Sequence, residues 1–135
     1  MTENKTARIR RLLVIDDEAI VGKRLRQVFS KMGFVVEVFD SPVQAMRAAE
    51  DHKFDIVVTD LKMEGMDGME VLSRVRKLNP ATRVIIITGY AQSETAEEAF
   101  RLGVFDFIPK PFRLEQLKES ILKAVKELEQ ENHAV

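Results

Sequence analysis

Five polar residues stand where apolar runs of this 135-residue chain break off. Leu12-Leu13-Val14-Ile15 runs into Asp16 and Asp17, and Ile56-Val57-Val58-Thr59 runs into Asp60. Val84-Ile85-Ile86-Ile87 ends at Thr88, and Lys110 follows Phe107-Ile108-Pro109. Taken singly, each is an ordinary strand end, turn residue or helix cap. Taken together they are three carboxylates, a hydroxyl and an ammonium. Carboxylates crowded as bare anions raise one another's pKa or demand a cation. Oxygen ligands suit a hard divalent ion such as Mg2+, which takes one or two carboxylates, keeps several waters and shares a phosphate oxygen. One carboxylate is then left over, and carboxylates attack phosphorus to form aspartyl phosphates. The metal and Lys110 would offset the charge of an incoming phosphoryl group, and Thr88 would donate to one of its oxygens. The residue types read as phosphoryl-transfer chemistry, provided the fold gathers them.

The elements between these residues alternate in type. Val21, Leu25, Val28, Phe29 and Met32 recur at helical spacing, and Gly33 ends that helix. Val35 to Phe39 reads as a second strand. Ser41-Pro42 then opens a second helix, with a hydroxyl cap and a first-turn proline, whose apolar face is expected to include Val43, Met46 and Ala49. After the strand that carries Asp60, Val71, Leu72, Val75 and Leu78 mark a third helix, which Asn79-Pro80 breaks. Arg83 to Thr88 is the fourth strand. A fourth helix over 92–102 has a thin apolar face of Ala96, Ala99 and Phe100, and Gly103 ends it. Val104 to Ile108 is a short fifth strand, Pro109-Lys110-Pro111 a rigid bend, and Leu114, Leu117, Ile121, Val125 and Leu128 mark a fifth helix. Near-continuous apolar strands separated by helices predict an α/β fold, a parallel sheet covered on both faces. Five strands and five helices suit the flavodoxin-like doubly wound order 2-1-3-4-5. All strands of such a sheet point their carboxyl ends at one edge, and ligands bind there, where the strand order reverses. That edge receives Asp16, Asp17, Asp60, Thr88 and Lys110. Asp60, on the strand at the reversal, is the natural nucleophile.

Composition narrows the alternatives. Apolar residues make up 45% and charged residues 32%, an ordinary globular balance, and the net charge of −1 gives no bulk attraction to nucleic acid or anionic lipid. No basic recognition helix is present, so direct nucleic-acid binding is not expected. The absence of cysteine excludes disulfides and thiolate chemistry. No apolar run reaches membrane-spanning length. Arg8, Arg10 and Arg11 read as a solvated flank ahead of the first strand. No nucleotide-binding glycine loop follows that strand. Met63, Met66 and Met69 read as packing, and His52 and His133 as surface residues.

Four segments, "VIDDE" (14–18), "VVTDLKMEGMDG" (57–68), "IIITGYA" (85–91) and "FIPKPF" (107–112), occur in this order on the right strands. With this spacing the chain resembles the receiver domain of two-component response regulators over about residues 10–128. The resemblance implies Asp60 as phosphoacceptor, with Lys110 contacting the phosphoryl group. It implies Mg2+ (or Mn2+) on the carboxylates of Asp17 and Asp60 and the backbone carbonyl of Lys62, with Asp16 assisting through water. Thr88 would move toward the phosphoryl group while Phe107 changes rotamer, and Lys62 and Tyr90 would tune its lifetime. The Lys110–Pro111 bond would be cis. Implied partners are a sensor histidine kinase or phosphotransfer protein, a downstream effector domain or protein, and a second copy docked through the fourth helix, fifth strand and fifth helix. Small acyl phosphates would also serve as donors, and the domain would hydrolyse its own acyl phosphate. The expected location is cytoplasmic.

Three positions depart from the family pattern: Glu64 where proline is frequent, the uncommon Pro109, and Phe107 where tyrosine is frequent. The expected organisation is a flexible segment over 1–10, the receiver over 11–128, and a tail or start of a linker over 129–135. The alternative is a phosphorylation-independent interaction module on the same fold. Degenerate receivers of that kind usually lack an acidic-pair member, the acceptor or the lysine, and here all are present. A hydrolase acting on external phosphate esters fits poorly, because Asp60 is followed by Leu61-Lys62 rather than by a D-x-D motif.

Overall fold

This computed structural model describes residues 10–90 and 92–133, the side chains of 132 and 133 excepted. Residues 1–9 of the expected flexible segment, and 134–135 of the expected tail, lie outside the described residues. Five strands alternate with five helices: β1 (Arg10–Ile15), α1 (Ala19–Lys31), β2 (Phe34–Phe39), α2 (Pro42–Asp51), β3 (Ile56–Asp60), α3 (Gly68–Leu78), β4 (Arg83–Thr88), α4 (Ser93–Arg101), β5 (Asp106–Pro109) and α5 (Leu114–His133). The sheet order is β2-β1-β3-β4-β5 and every neighbouring pair is parallel. The expected flavodoxin-like doubly wound fold is the one the chain adopts.

Successive strand residues point to opposite faces, so each continuous apolar run fills two cores. Leu13, Ile15, Val57, Val84 and Ile86 pack with Ala45 and Met46 of α2, Val71, Leu72 and Val75 of α3, and Ala99 of α4. Leu12, Val14, Ile56, Val58, Ile85 and Ile87 pack with Leu25 and Phe29 of α1 and Leu117, Ile121, Ala124 and Leu128 of α5. All five residues of β3 are buried, Asp60 included. The layers therefore fix β3 from both sides and leave it one way to present a side chain, at its carboxyl end.

Local signals set several boundaries as expected. The Ser41 hydroxyl accepts from the Gln44 N–H, with Pro42 next in the helix. Gly33 and Gly103 close α1 and α4 at φ values of 99° and 95°, a conformation only glycine adopts without strain.

Other expectations are corrected. Arg10 and Arg11 are not a solvated flank. Both belong to β1, and Arg10 is only 6% exposed. Their pull into the sheet has a charge partner: Arg10 Nη1 lies 3.5 Å from Asp55 Oδ1, the Arg11 backbone N–H donates to Asp55 Oδ2 at 2.8 Å, and the Arg11 guanidinium pairs with Glu37 at 2.6 Å. The inward residues of α2 are Pro42, Ala45 and Met46, and Val43 is turned outward. In α4 only Ala99 is buried, and Phe100 is exposed. In both helices the apolar pattern was compatible with more than one rotation, and the fold selects the one that puts the small alanine against the sheet. The fifth strand starts later than expected, because the Val104 N–H closes α4 on Ala99 O.

These assignments make a stability contrast. Ile86→Ala should lower the unfolding free energy by about 2–5 kcal/mol, the usual cost of truncating a fully buried aliphatic side chain. Phe100→Ser should change it by no more than about 0.5 kcal/mol, as for surface sites. Urea unfolding of both variants measures this, and a large loss in Phe100→Ser would contradict the outward placement of Phe100.

Candidate functional site

Asp60 is the last residue of β3 and its carboxylate is held at both oxygens. Oδ1 accepts from the Leu61 N–H at 2.7 Å, and Oδ2 accepts from Lys110 Nζ at 3.0 Å. The loop behind it turns at Gly65, whose φ is 92°. It then folds back so tightly that a Cβ on Gly68 would lie 2.5 Å from the Asp60 carbonyl oxygen and 2.9 Å from Leu61 Cα. Gly68 N–H donates to Leu61 O at 2.7 Å, and Asp67 caps α3 by accepting from the Glu70 N–H. Glycine at 68 is thus what lets α3 begin against the backbone of the nucleophile candidate.

Asp16 extends from β1, 1% exposed, and Asp17 beside it is exposed. Asp16 Oδ1 accepts from the Glu18 N–H at 2.8 Å and Oδ2 lies 3.4 Å from Lys110 Nζ. Burial pushes the Asp16 carboxyl above its ordinary pKa and nearby Asp60 adds to this. The Glu18 N–H and Lys110 pull the other way without prevailing. Ligand oxygens of Asp16, Asp17 and Asp60 all lie within 4.8 Å of one another. Lys110 follows β5, where its backbone N–H donates to Thr88 O at 2.8 Å, and the Lys110–Pro111 peptide is cis. Its ammonium reaches Asp60, Asp16 and, at 3.0 Å, Glu18. Burial alone would lower its pKa, but hydrogen bonds to Glu18 and Asp60 and the fields of Asp16 and Asp60 raise it above the usual lysine value.

The other candidates stand around this cluster. Thr88 is fully buried at the end of β4, and its hydroxyl accepts from the Tyr90 N–H at 2.9 Å, which leaves its own proton available to donate. No hydrogen bond joins Thr88 to Asp60 or Lys110 through their side chains among the described residues. Phe107 is half-buried in β5 against the core that contains Ala99 of α4. Tyr90 is exposed, and Lys62 Nζ lies 5.6 Å from its ring centroid. Sequence reasoning missed Glu18 and the close approach at Gly68. The signal for Glu18 was present: it directly follows the aspartate pair at a helix start where glutamate is a poor cap.

Three clustered carboxylate oxygens are a donor set that fits a hard divalent cation. The Lys62 carbonyl, the other ligand the resemblance implies, accepts no backbone hydrogen bond among the described residues.

A doubly wound five-stranded sheet that gathers clustered aspartates and a bridging lysine at its carboxyl edge defines a receiver domain. The response regulator receiver domain family matches residues 12–122, and the chain belongs to that family. It is 37% identical over 117 residues to the regulatory protein AtoC of Escherichia coli (strain K12), covering 87% of this chain and 25% of AtoC. The chain thus spans about a quarter of that relative's length. It is 30% identical over 113 residues to sporulation initiation phosphotransferase F of Bacillus subtilis (strain 168), covering 84% of this chain and 91% of that protein. Among solved structures it is similar to a CheY-like response regulator receiver domain protein from Methanospirillum hungatei JF-1, with a TM-score of 0.88, 28% identity, and 92% and 99% of the two chains covered. Among the described residues no helix is long and apolar enough to cross a membrane.

The raised pKa of Asp16 carries a sign for stability. A carboxyl whose folded pKa exceeds its unfolded value stabilises the fold below the unfolded pKa, and that contribution is lost as pH rises through the folded one. Ionising Asp16 in the folded protein therefore costs stability. In metal-free protein, Asp16→Asn should raise the thermal midpoint at pH 7 and flatten its fall as pH rises from about 4. The same variant should gain less from added Mg2+ than the wild type. A lower midpoint without metal, or an unchanged response to it, would count against this account.

Proposed function

We propose that this domain is a phosphorylation-dependent switch of two-component signalling, loaded on Asp60. The observation that carries the reading is the Asp60 carboxylate, buried at a strand end, bridged at 3.0 Å to Lys110 and grouped with Asp16 and Asp17. The donor is a sensor histidine kinase, a phosphotransfer protein or a small acyl phosphate. An Asp60 oxygen attacks phosphorus, a P–O bond forms, and the bond to the donor's imidazole nitrogen or acyl oxygen breaks, its electron pair leaving with the donor. Asp17, Asp60 and the Lys62 carbonyl, with Asp16 through water, would hold Mg2+ (or Mn2+), which would supply charge neutralisation on the transferring group. The Leu61 N–H keeps one Asp60 oxygen oriented, and Lys110 places an ammonium where the phosphoryl oxygens arrive. The relationship to a protein named a phosphotransferase supports this reading.

Thr88, with its hydroxyl proton available, is drawn toward the phosphoryl oxygens. Phe107 turns inward in concert, and the face made by α4, β5 and α5 changes. Docking of a second copy, of an effector protein or of an attached effector domain on that face is the output. Phe100 of α4, Leu102 just after it and Leu122 of α5 are exposed apolar side chains.

Intact mass after incubation with acetyl phosphate and Mg2+ tests the reading. The wild type should gain one phosphoryl group only when Mg2+ is present, and Asp60→Asn should gain none. A wild type that stays unmodified across short and long incubations favours the phosphorylation-independent interaction module.

Lys62 and Tyr90 are the residues proposed to set the lifetime of the phosphorylated form. Their stacked contact bridges the loops after β3 and β4, beside the path by which water would reach the phosphorus. Lys62→Ala or Tyr90→Ala should change the decay rate of phosphorylated protein severalfold. Equal decay rates in all three proteins would remove these two residues from the account.

A further inference from the structure

We propose that Glu18 is a positioning residue that retains Lys110 in the site when a divalent cation binds. The inference rests on the metal-assisted phosphotransfer reading above. A lysine ammonium has three N–H donors, and this one faces three carboxylates: Asp60 at 3.0 Å, Glu18 at 3.0 Å and Asp16 at 3.4 Å. Two of those partners, Asp16 and Asp60, belong to the carboxylate group that fits a metal, and Glu18 lies outside that group. A cation on that group withdraws the negative charge that holds Lys110, and its own charge repels the ammonium. Glu18 is the carboxylate that keeps its charge for Lys110 alone.

The local structure is consistent with such a task. Glu18 occupies the cap position of α1, yet its side chain makes no cap hydrogen bond. Serine, threonine, aspartate or asparagine would cap better. The side chain reaches instead across the chain to Lys110. Glu18 and Lys110 also stand side by side on the wall of a groove of about 450 Å³ lined with Ile20, Pro111 and Phe112. The tether therefore holds the lysine from the groove side. The donors released by Asp16 and Asp60 stay aimed at the place where a phosphoryl group joins Asp60.

The test compares the full 135-residue wild type with Glu18→Ala and Glu18→Asp. First, the Lys110 Nζ–H signal is followed by nuclear magnetic resonance with and without Mg2+, assigned by its disappearance in Lys110→Arg. It should persist on Mg2+ addition in the wild type, persist in metal-free Glu18→Ala, and be lost from Glu18→Ala once Mg2+ is added. Glu18→Asp should recover part of it. Second, loading by acetyl phosphate at saturating Mg2+ should slow about threefold or more in Glu18→Ala, within the coupling seen for members of one hydrogen-bond network. The same substitution should have no further effect in a Lys110→Ala background. A Lys110 signal that answers Mg2+ identically in wild type and Glu18→Ala overturns the proposal, and so do losses that simply add in the double variant. The resonance measurement needs no phosphorylation, so it decides the role of Glu18 even if the wild type fails to load.

Discussion

Asp16, Glu18 and Asp60 meet one lysine at the carboxyl edge of the sheet, with Asp17 grouped beside the other two aspartates, and this imbalance shapes the site. A parallel sheet sends every strand end to one edge, so acidic strand ends accumulate there unless something opposes them. Asp16 and Asp60 are buried, where an unpaired charge is costly. Among the described residues the ammonium that pairs with them comes from Lys110, 50 residues beyond Asp60 in the chain. Its reach depends on β5, which pairs with β4 through residues 106–109 and is anchored by the Lys110 N–H on Thr88 O. The last strand in chain order, at one edge of the sheet, is thus also the one that delivers the counter-charge.

Departures from local rules collect around the same edge. A charge ends a fully buried strand at Asp60, a glutamate occupies the cap position of α1 without capping it, and a glycine starts α3 where a side chain would strike Asp60. Other local rules are kept: Ser41 caps α2, Asp67 caps α3, and glycines close α1 and α4. Natural sequences concentrate such violations at functional sites. Here each has an identifiable role in the geometry of Asp60 or Lys110.

That contrast also explains what could be read from the sequence. The apolar runs at 12–15, 56–59 and 84–87 point to a sheet covered on both faces, and their ends place Asp16, Asp60 and Thr88 at one edge of it. Helix rotation was less legible. Two residues separate Val43 from Ala45 and one separates Phe100 from Ala99, and only packing against the sheet decides which of them faces inward. Arg10 was misread because its partner Asp55 lies far along the chain, and a basic residue before a strand has no local mark of burial. Glu18 carries a local mark, as a poor cap beside the aspartate pair, but nothing local names its partner. Its contact with Lys110 spans 92 residues, and no periodicity encodes it.

The uneven anchoring of the two sides of the sheet bears on how a local charge could be transmitted. β3 and the apolar run of β4 are enclosed by both cores, so Asp60 and Thr88 stand on elements that cannot slide without disturbing close-packed contacts. α4 is different: a single buried alanine, Ala99, sits against the sheet, and most of its other residues are exposed. Segments with few buried apolar contacts open at lower free energy than the core that carries them. A ligand moves an equilibrium only by the difference in its affinity for the two states. A phosphoryl group that engages Thr88 and Lys110 differently in two arrangements of the β4–α4–β5 region would have little packing to overcome there. The same difference spent on α3, which buries Val71, Leu72 and Val75, would meet a well-filled core. The asymmetry directs the proposed response toward α4 and β5 and away from the strand that bears the acceptor.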